Sequence, residues 1–309
     1  MIDLSIDLGF LKLKNPVIAS SGTFGYGLEF TPFIDLNCLG GFVVKGLYLN
    51  PREGNPPPRL VETPAGLINS IGLQGIGAKR FVKELLPELR RFKTHLIVNI
   101  CGENEREFIS VAELLNREEG ISAYEVNISC PNVEKGGMCP ALDPKATYYL
   151  VSRVKKASTR PIITKLSPNV TDISLIARSA EDAGADALSL VNTFLAMAVD
   201  PETRKPKLGN ILGGLSGPAI KPIALRMVFQ VVRQVKVPVI GIGGIMSGND
   251  ALEYLIVGAR AVEVGTANLV DPESCLKIIQ EIENFCERKG ISRIEKIIGT
   301  LEINDEKRD

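Results

Sequence analysis

No stretch of this sequence approaches the roughly 20 consecutive apolar residues needed to cross a bilayer as a helix, and neither sign of charge prevails. Lysine plus arginine and aspartate plus glutamate each number 36. Without a net positive field, nothing draws the surface to phosphate backbones or anionic lipid, so neither nucleic acid nor membrane is expected as a partner. The six cysteines, Cys38, Cys101, Cys130, Cys139, Cys275 and Cys286, are widely spread and form no C-x-x-C. Tight spacings that hold zinc or an iron–sulfur cluster are missing, which predicts reduced thiols and no metal centre. The start, MIDLSIDLGFLKLKNP, mixes acidic and basic residues where a secretory signal has a basic start and an apolar run. A cytoplasmic protein is expected.

What is present is a balance of 45% hydrophobic and 23% charged residues over 309 positions, enough to bury a large core. Short β-branched runs recur eight times: PVIAS (16–20), GFVVKG (41–46), HLIVNI (95–100), AYEVNIS (123–129), PIITKLS (161–167), ALSLVNT (187–193), PVIGIGG (238–244) and AVEVGTA (261–267). Near-continuous apolar runs suit parallel strands buried on both faces. Between them, KRFVKELLPELRRF, NEREFISVAELLNRE, TDISLIARSAEDAG and PAIKPIALRMVFQVVRQV carry apolar residues at helical spacing. Eight βα units predict a closed (β/α)8 TIM barrel forming one domain over residues 1–309. The rival open, doubly wound sheet lacks its G-x-G-x-x-G after the first strand. The proline-rich stretch 47–77 and the stretch 192–217 exceed ordinary connections and are expected to be functional loops or lids.

A barrel of this kind does its chemistry where strands end. Here those ends carry Ser20 and Ser21, Lys45, Asn99, Asn127 with Ser129 and Cys130, Lys165 with Ser167, Asn192 with Thr193, Gly243 with Gly244, and Gly265 with Thr266. Any one of these could simply cap its loop; the set points to a site. Lys45 and Lys165 each end an apolar strand, where an unpaired ammonium is costly. Either an anionic or reducible ligand meets them or a local carboxylate does. The turns GIGG and VGTA follow the last two strands, where barrels commonly hold phosphate on backbone N–H groups. The single histidine, His95, begins the third strand, at the far end from the chemistry, and is assigned a structural role.

NISCPNVEKGG (127–137), with ASSGTFGYG (19–27), VVKGLY (43–48), NSIGLQG (69–75) and GGLSGPAIKPIALRMV (213–228), closely resembles dihydroorotate dehydrogenases. The resemblance implies a barrel holding FMN and the oxidation of (S)-dihydroorotate to orotate in pyrimidine (UMP) biosynthesis. It implies Cys130 as the base that takes the C5 proton while hydride passes from C6 to flavin N5. It further implies FMN contacts at Ser21, Lys45, Gly46, Asn99, Asn127, Lys165, Val191, Gly217, Gly243, Gly244, Gly265 and Thr266. Substrate contacts are implied at Lys45, Asn69, Ser70, Ile71, Gly72, Leu73, Asn127, Asn192 and Thr193. Side-chain amides suit a cyclic ureide because they both donate and accept.

Cysteine in SCPN resembles the cytosolic class rather than the serine-using membrane-bound one. CPNVEKGG and SGPAIKPIAL resemble its NAD-linked type, which implies a partner subunit bearing FAD and a [2Fe–2S] cluster, and a homodimer within a heterotetramer. Cys139 and Pro140 stand where the family pattern leads us to expect an aromatic and a small residue. A fumarate-using enzyme remains an alternative, as does another FMN barrel acting on a pyrimidine, such as a dihydropyrimidine dehydrogenase. Zero net charge argues against a tRNA dihydrouridine synthase. A non-catalytic phosphate-binding barrel is the rival of another class, and would have no use for Cys130. Cys38, Cys101, Cys275 and Cys286 are expected to be inert buried thiols.

Overall fold

The computed structural model describes residues 2–129 and 140–303. Eight strands fall on the eight apolar runs: β1 (Val17–Ala19), β2 (Gly41–Leu47), β3 (His95–Ile100), β4 (Ala123–Asn127), β5 (Ile162–Lys165), β6 (Ala187–Leu190), β7 (Val239–Ile242) and β8 (Ala261–Val264). Each pairs in parallel with its neighbours in chain order. β8 returns to β1, with Val262 opposite Val17 and Val264 opposite Ala19, and the sheet closes into a (β/α)8 barrel without an edge. Strands β4 to β8 are buried along their whole length. One face fills the barrel and the other lies under helices, so the runs read as continuously apolar. Most strands stop short of their runs, because Ser129, Ser167, Asn192 and Gly244 have already left the ladder for the βα loops.

Helices Glu105–Asn116, Pro144–Ala157, Ile173–Asp182, Lys221–Val232, Gly248–Ile256 and Ser274–Lys289 surround the sheet. Their starts are written in the sequence. Asn104, Asp143, Asp172 and Ser247 are N-caps whose side chains accept from the backbone N–H of Glu107, Ala146, Ser174 and Asp250. Such a cap is worth about 1 kcal/mol and fixes where the βα loop ends. The run after β2 is less regular: Ala78–Arg80 passes through a π turn at Phe81–Leu85 into Leu86–Leu89. Pro87, which has no N–H to give, sits just beyond that turn.

At the N-terminal end of the barrel, strands Ile6–Asp7 and Lys12–Leu13 form a hairpin that buries Ile6, Leu8 and Leu13. His95 ties this hairpin to the barrel. Its Nε2 lies 2.8 Å from the Lys12 carbonyl and its Nδ1 3.1 Å from Ser122 Oγ. The structural role expected of it agrees with this position.

Two expectations need correction. The stretches 47–77 and 192–217 are not merely long loops. They contribute Leu60–Thr63, Gly66–Asn69, Phe194–Ala196 and Gly213–Ser216 to one antiparallel sheet, with Leu215 opposite both Phe194 and Ile68. Cys38, expected to be an inert buried thiol, is exposed. It ends the 3-10 turn Leu36–Cys38, in which Leu36 takes the inward position. Cys101, Cys275 and Cys286 are buried as expected.

Candidate active site

The C-terminal ends of the strands and the accessory sheet enclose a cavity of about 1390 Å³. Ser21, Lys45, Gly46, Asn99, Asn127, Lys165, Val191, Gly217, Gly243, Gly244, Gly265 and Thr266 all line it, as do Asn69, Ser70, Ile71, Gly72, Leu73, Asn192 and Thr193. Residues as far apart in the chain as Ser20 and Leu269 are thus gathered by barrel closure into one volume. Cys130 and Cys139 lie outside the described residues. Ser129 on one side of that segment, and Ala141 and Leu142 on the other, line the cavity.

Lys45 and Lys165 have different fates. Lys45, near the end of β2, is half-buried and has no carboxylate within ion-pair distance among the described residues. Burial holds its pKa below the usual lysine value, with Glu29 opposing and Arg59 adding to the shift. It is the ammonium in need of an anion. Lys165 is instead paired inside the barrel, with Nζ 3.1 Å from Glu263 Oε2 and 3.4 Å from Glu125 Oε2. Burial alone would lower its pKa, but the two carboxylates outweigh burial and raise it. Of the two partners left open for Lys165, a ligand or a local carboxylate, the structure supplies carboxylates.

The two glutamates were missed in the sequence. Glu125 and Glu263 occupy the middle of β4 and β8, at 0% and 1% exposure. A carboxylate in the centre of AYEVN or AVEV was the available signal, since such a group needs a buried partner. Glu125 faces inward with Asn127, two residues on. It accepts from Asn99 Nδ2 at 2.5 Å and Ser189 Oγ at 2.9 Å. Burial would raise its pKa, but Lys165 and these donors hold it below the ordinary carboxylate value. Burial and the neighbouring Glu125 charge push Glu263 up to about 8.

Amides converge higher in the cavity. Asn192 Nδ2 donates to Asn127 Oδ1 at 3.4 Å, and Asn69 Nδ2 to the Gly214 carbonyl at 3.1 Å. Cys101, assigned only as an inert thiol, has its sulfur 3.3 Å from Asn99 Oδ1 and 3.6 Å from Asn127 Nδ2, so it supports both amides. A Cβ on Gly46 would stand 2.7 Å from that sulfur, which explains glycine there.

The turns after β7 and β8 form a cradle. Gly243 and Gly244 have φ of 132° and 66°, and Gly217 beside them 92°. A Cβ on Gly243 would lie 2.6 Å from Ala224 Cβ, and one on Gly244 2.7 Å from Lys221 Cβ and 2.8 Å from the Gly217 carbonyl. The backbone N–H groups of Gly243, Gly244, Gly265 and Thr266 meet no acceptor among the described residues. Donors of this kind, close to open volume, suit a phosphate.

The family model described as "Dihydroorotate dehydrogenase" matches residues 4–286. A protein of Citrifermentans bemidjiense, "Dihydroorotate dehydrogenase B (NAD(+)), catalytic subunit", is 51% identical over 301 residues, covering 97% of this chain and 99% of that one. A protein of the same description from Thermodesulfovibrio yellowstonii is 52% identical, covering 96% and 98%. A "Putative dihydroorotate dehydrogenase A (fumarate)" of Solibacter usitatus is 53% identical, covering 94% and 96%. A solved structure of DHODH with ferulenol, from Eimeria tenella, superposes with a TM-score of 0.81 over 96% of this chain and 88% of that one. At 22% identity it speaks for the fold alone. About half of the residues are thus identical to those of these sequence relatives across nearly the whole length, and the chain belongs to the dihydroorotate dehydrogenase family.

Proposed function

We propose that this chain is the catalytic subunit of an NAD-linked dihydroorotate dehydrogenase, oxidising (S)-dihydroorotate to orotate in UMP biosynthesis with FMN at the barrel mouth. One observation carries the reading: in a chain of this family, Lys45, without a carboxylate partner among the described residues, faces the same cavity as the amides of Asn69, Asn127 and Asn192. A carboxylated cyclic ureide needs that set, one cation for the carboxylate and amides for the alternating donors and acceptors of the ring. Residues 1–309 act as one FMN-binding barrel domain, in the cytoplasm.

The residues fit FMN. Its phosphate has a cradle that Cβ atoms would fill, at Gly243 and Gly244, with free N–H groups continuing through Gly265 and Thr266. Ser21, Gly46, Asn99, Asn127, Lys165, Val191 and Gly217 supply the remaining contacts. When bound, FMN supplies the hydride acceptor. Lys45, Asn127, Asn192, Thr193 and the segment Asn69, Ser70, Ile71, Gly72 and Leu73 hold the substrate ring in one orientation, which lowers the entropic part of the barrier. Cys130 removes the C5 proton, a thiol with an ordinary pKa of about 8.5 needing only modest help to ionise.

Electrons reach NAD through a second subunit carrying FAD and a [2Fe–2S] cluster, in a heterotetramer built on a homodimer of this chain. The relatives named as catalytic subunits support this reading. Direct transfer to fumarate is the second reading, favoured by the Solibacter usitatus relative. Anaerobic titration of the purified flavoprotein tests the function: dihydroorotate should bleach the flavin band and dihydrouracil should not. Reoxidation by fumarate without a partner would select the second reading; failure of dihydroorotate to bleach the band, with or without the partner, would reject both.

A further inference from the structure

Glu125 and Glu263 reach the same ammonium from strands on different sides of the barrel. Two carboxylates and one ammonium, all buried, would leave an uncompensated negative charge, which a dry interior penalises heavily. The donors are shared unevenly. Besides Lys165, Glu125 accepts from Asn99, Ser189 and Ser21, the last at 3.3 Å. Besides Lys165, Glu263 Oε2 accepts from Ser20 Oγ at 2.9 Å, while its fully buried Oε1 has no partner among the described residues. An ionised oxygen there would be stranded, whereas a neutral acid avoids the charge penalty. Both carboxylates present Oε2 to the same Nζ, which sets the two groups side by side. No other charged group of the described residues makes an ion pair with either; Lys45, with Glu29 and Arg59 around it, lies apart at the mouth.

Resting on the FMN reading above, we propose that Glu263 keeps a proton at neutral pH against an ionised Glu125, and that this proton-sharing pair positions the Lys165 ammonium at the cofactor site. The cluster is then neutral, and its ammonium is held by two carbonyl-type acceptors of unequal strength. Loss of the shared proton places a negative charge directly behind Lys165 and weakens its hold on an electron-rich ligand. Glu125 and Glu263 act through Lys165, so they are positioning residues.

Infrared spectra of the FMN-free protein read the proton without the cofactor. Wild type at pH 7 should show a buried carboxylic-acid C=O band that is missing in Glu263→Gln, and missing also in Glu125→Gln, where Glu263 becomes the sole counter-ion. FMN affinity, from quenching of flavin fluorescence, should fall about tenfold in wild type per pH unit beyond about 8. Glu263→Gln should lack that fall and keep only the weaker trend from Lys45. Absence of the acid band in wild type, or an unchanged pH profile in Glu263→Gln, would overturn the proposal. Should Glu263→Gln not fold, loss of the wild-type band on raising the pH through about 8 reads the same proton. A protein that binds no FMN would reject the flavin reading, and the infrared comparison would still decide the pair.

Discussion

A Cβ placed on Gly214 would stand 2.0 Å from Thr193 Oγ1 and 2.6 Å from Thr193 Cβ, so the accessory sheet passes over Thr193 with no room for a side chain. Gly214 is also the residue whose carbonyl accepts from Asn69. Gly214→Ala should therefore displace two substrate-side residues at once, at about 1–3 kcal/mol of overpacking. The expected outcome is a raised KM for dihydroorotate with FMN content unchanged, checked by steady-state kinetics beside the visible spectrum.

Lys45→Met removes the charge assigned to the substrate carboxylate. A hydrogen bond to a charged group is worth about 1.5–3 kcal/mol, so KM should rise roughly 10- to 100-fold. The protein without ligands should respond in the opposite sense. Burial lowers the Lys45 pKa in the folded state, so the unfolded chain binds its proton more tightly and the residue is destabilising below its folded pKa. Lys45→Met should raise the Tm of the FMN-free protein at pH 7, and the gap should shrink as pH rises toward the unfolded lysine value of about 10.4.

Gly244→Ala tests the cradle. A non-glycine residue at φ 66° costs about 1–2 kcal/mol, before the close approach to Lys221 and the Gly217 carbonyl is counted. The variant should purify with little FMN and need at least about tenfold more for reconstitution, measured by flavin fluorescence.

Stability against pH tests Glu263. A carboxyl raised to about 8 in the folded state keeps a proton that the unfolded chain loses above the ordinary glutamate value of 4.5. Its contribution therefore falls as pH rises from 4.5 to about 8 and is level beyond. Glu263→Gln should gain on wild type in Tm across that window and show no widening gap above it, as thermal melts at stepped pH would read.

The barrel was legible because each strand is a compact apolar run buried on both faces, and a run such as AYEVN needs no distant information to be recognised. The accessory sheet was not. Its strands have three or four residues, and Leu67 pairs with Ser216, 149 positions away, so no local period announces the pairing. The strand-end residues Asn99, Asn127 and Asn192 were found because polar groups ending apolar strands are conspicuous. Glu125 and Glu263 were passed over because they stand inside the strands, where the apolar neighbours set the reading. The partner of Lys165 therefore stayed open between a ligand and a carboxylate until those two glutamates were seen beside it. Cys38 was misplaced since a turn of three residues carries no face pattern to say which side chain turns outward.

Cys130 is where the proposed chemistry is decided. Anaerobic stopped-flow mixing of dihydroorotate with the FMN-loaded protein should bleach the wild-type flavin band rapidly, and Cys130→Ala should slow bleaching by about 10²–10⁴-fold, the usual contribution of a positioned base, with FMN content unchanged. Bleaching at the wild-type rate in Cys130→Ala would contradict the assignment of Cys130 as the base, and an FMN-loaded wild type that dihydroorotate leaves oxidised would contradict the reaction itself.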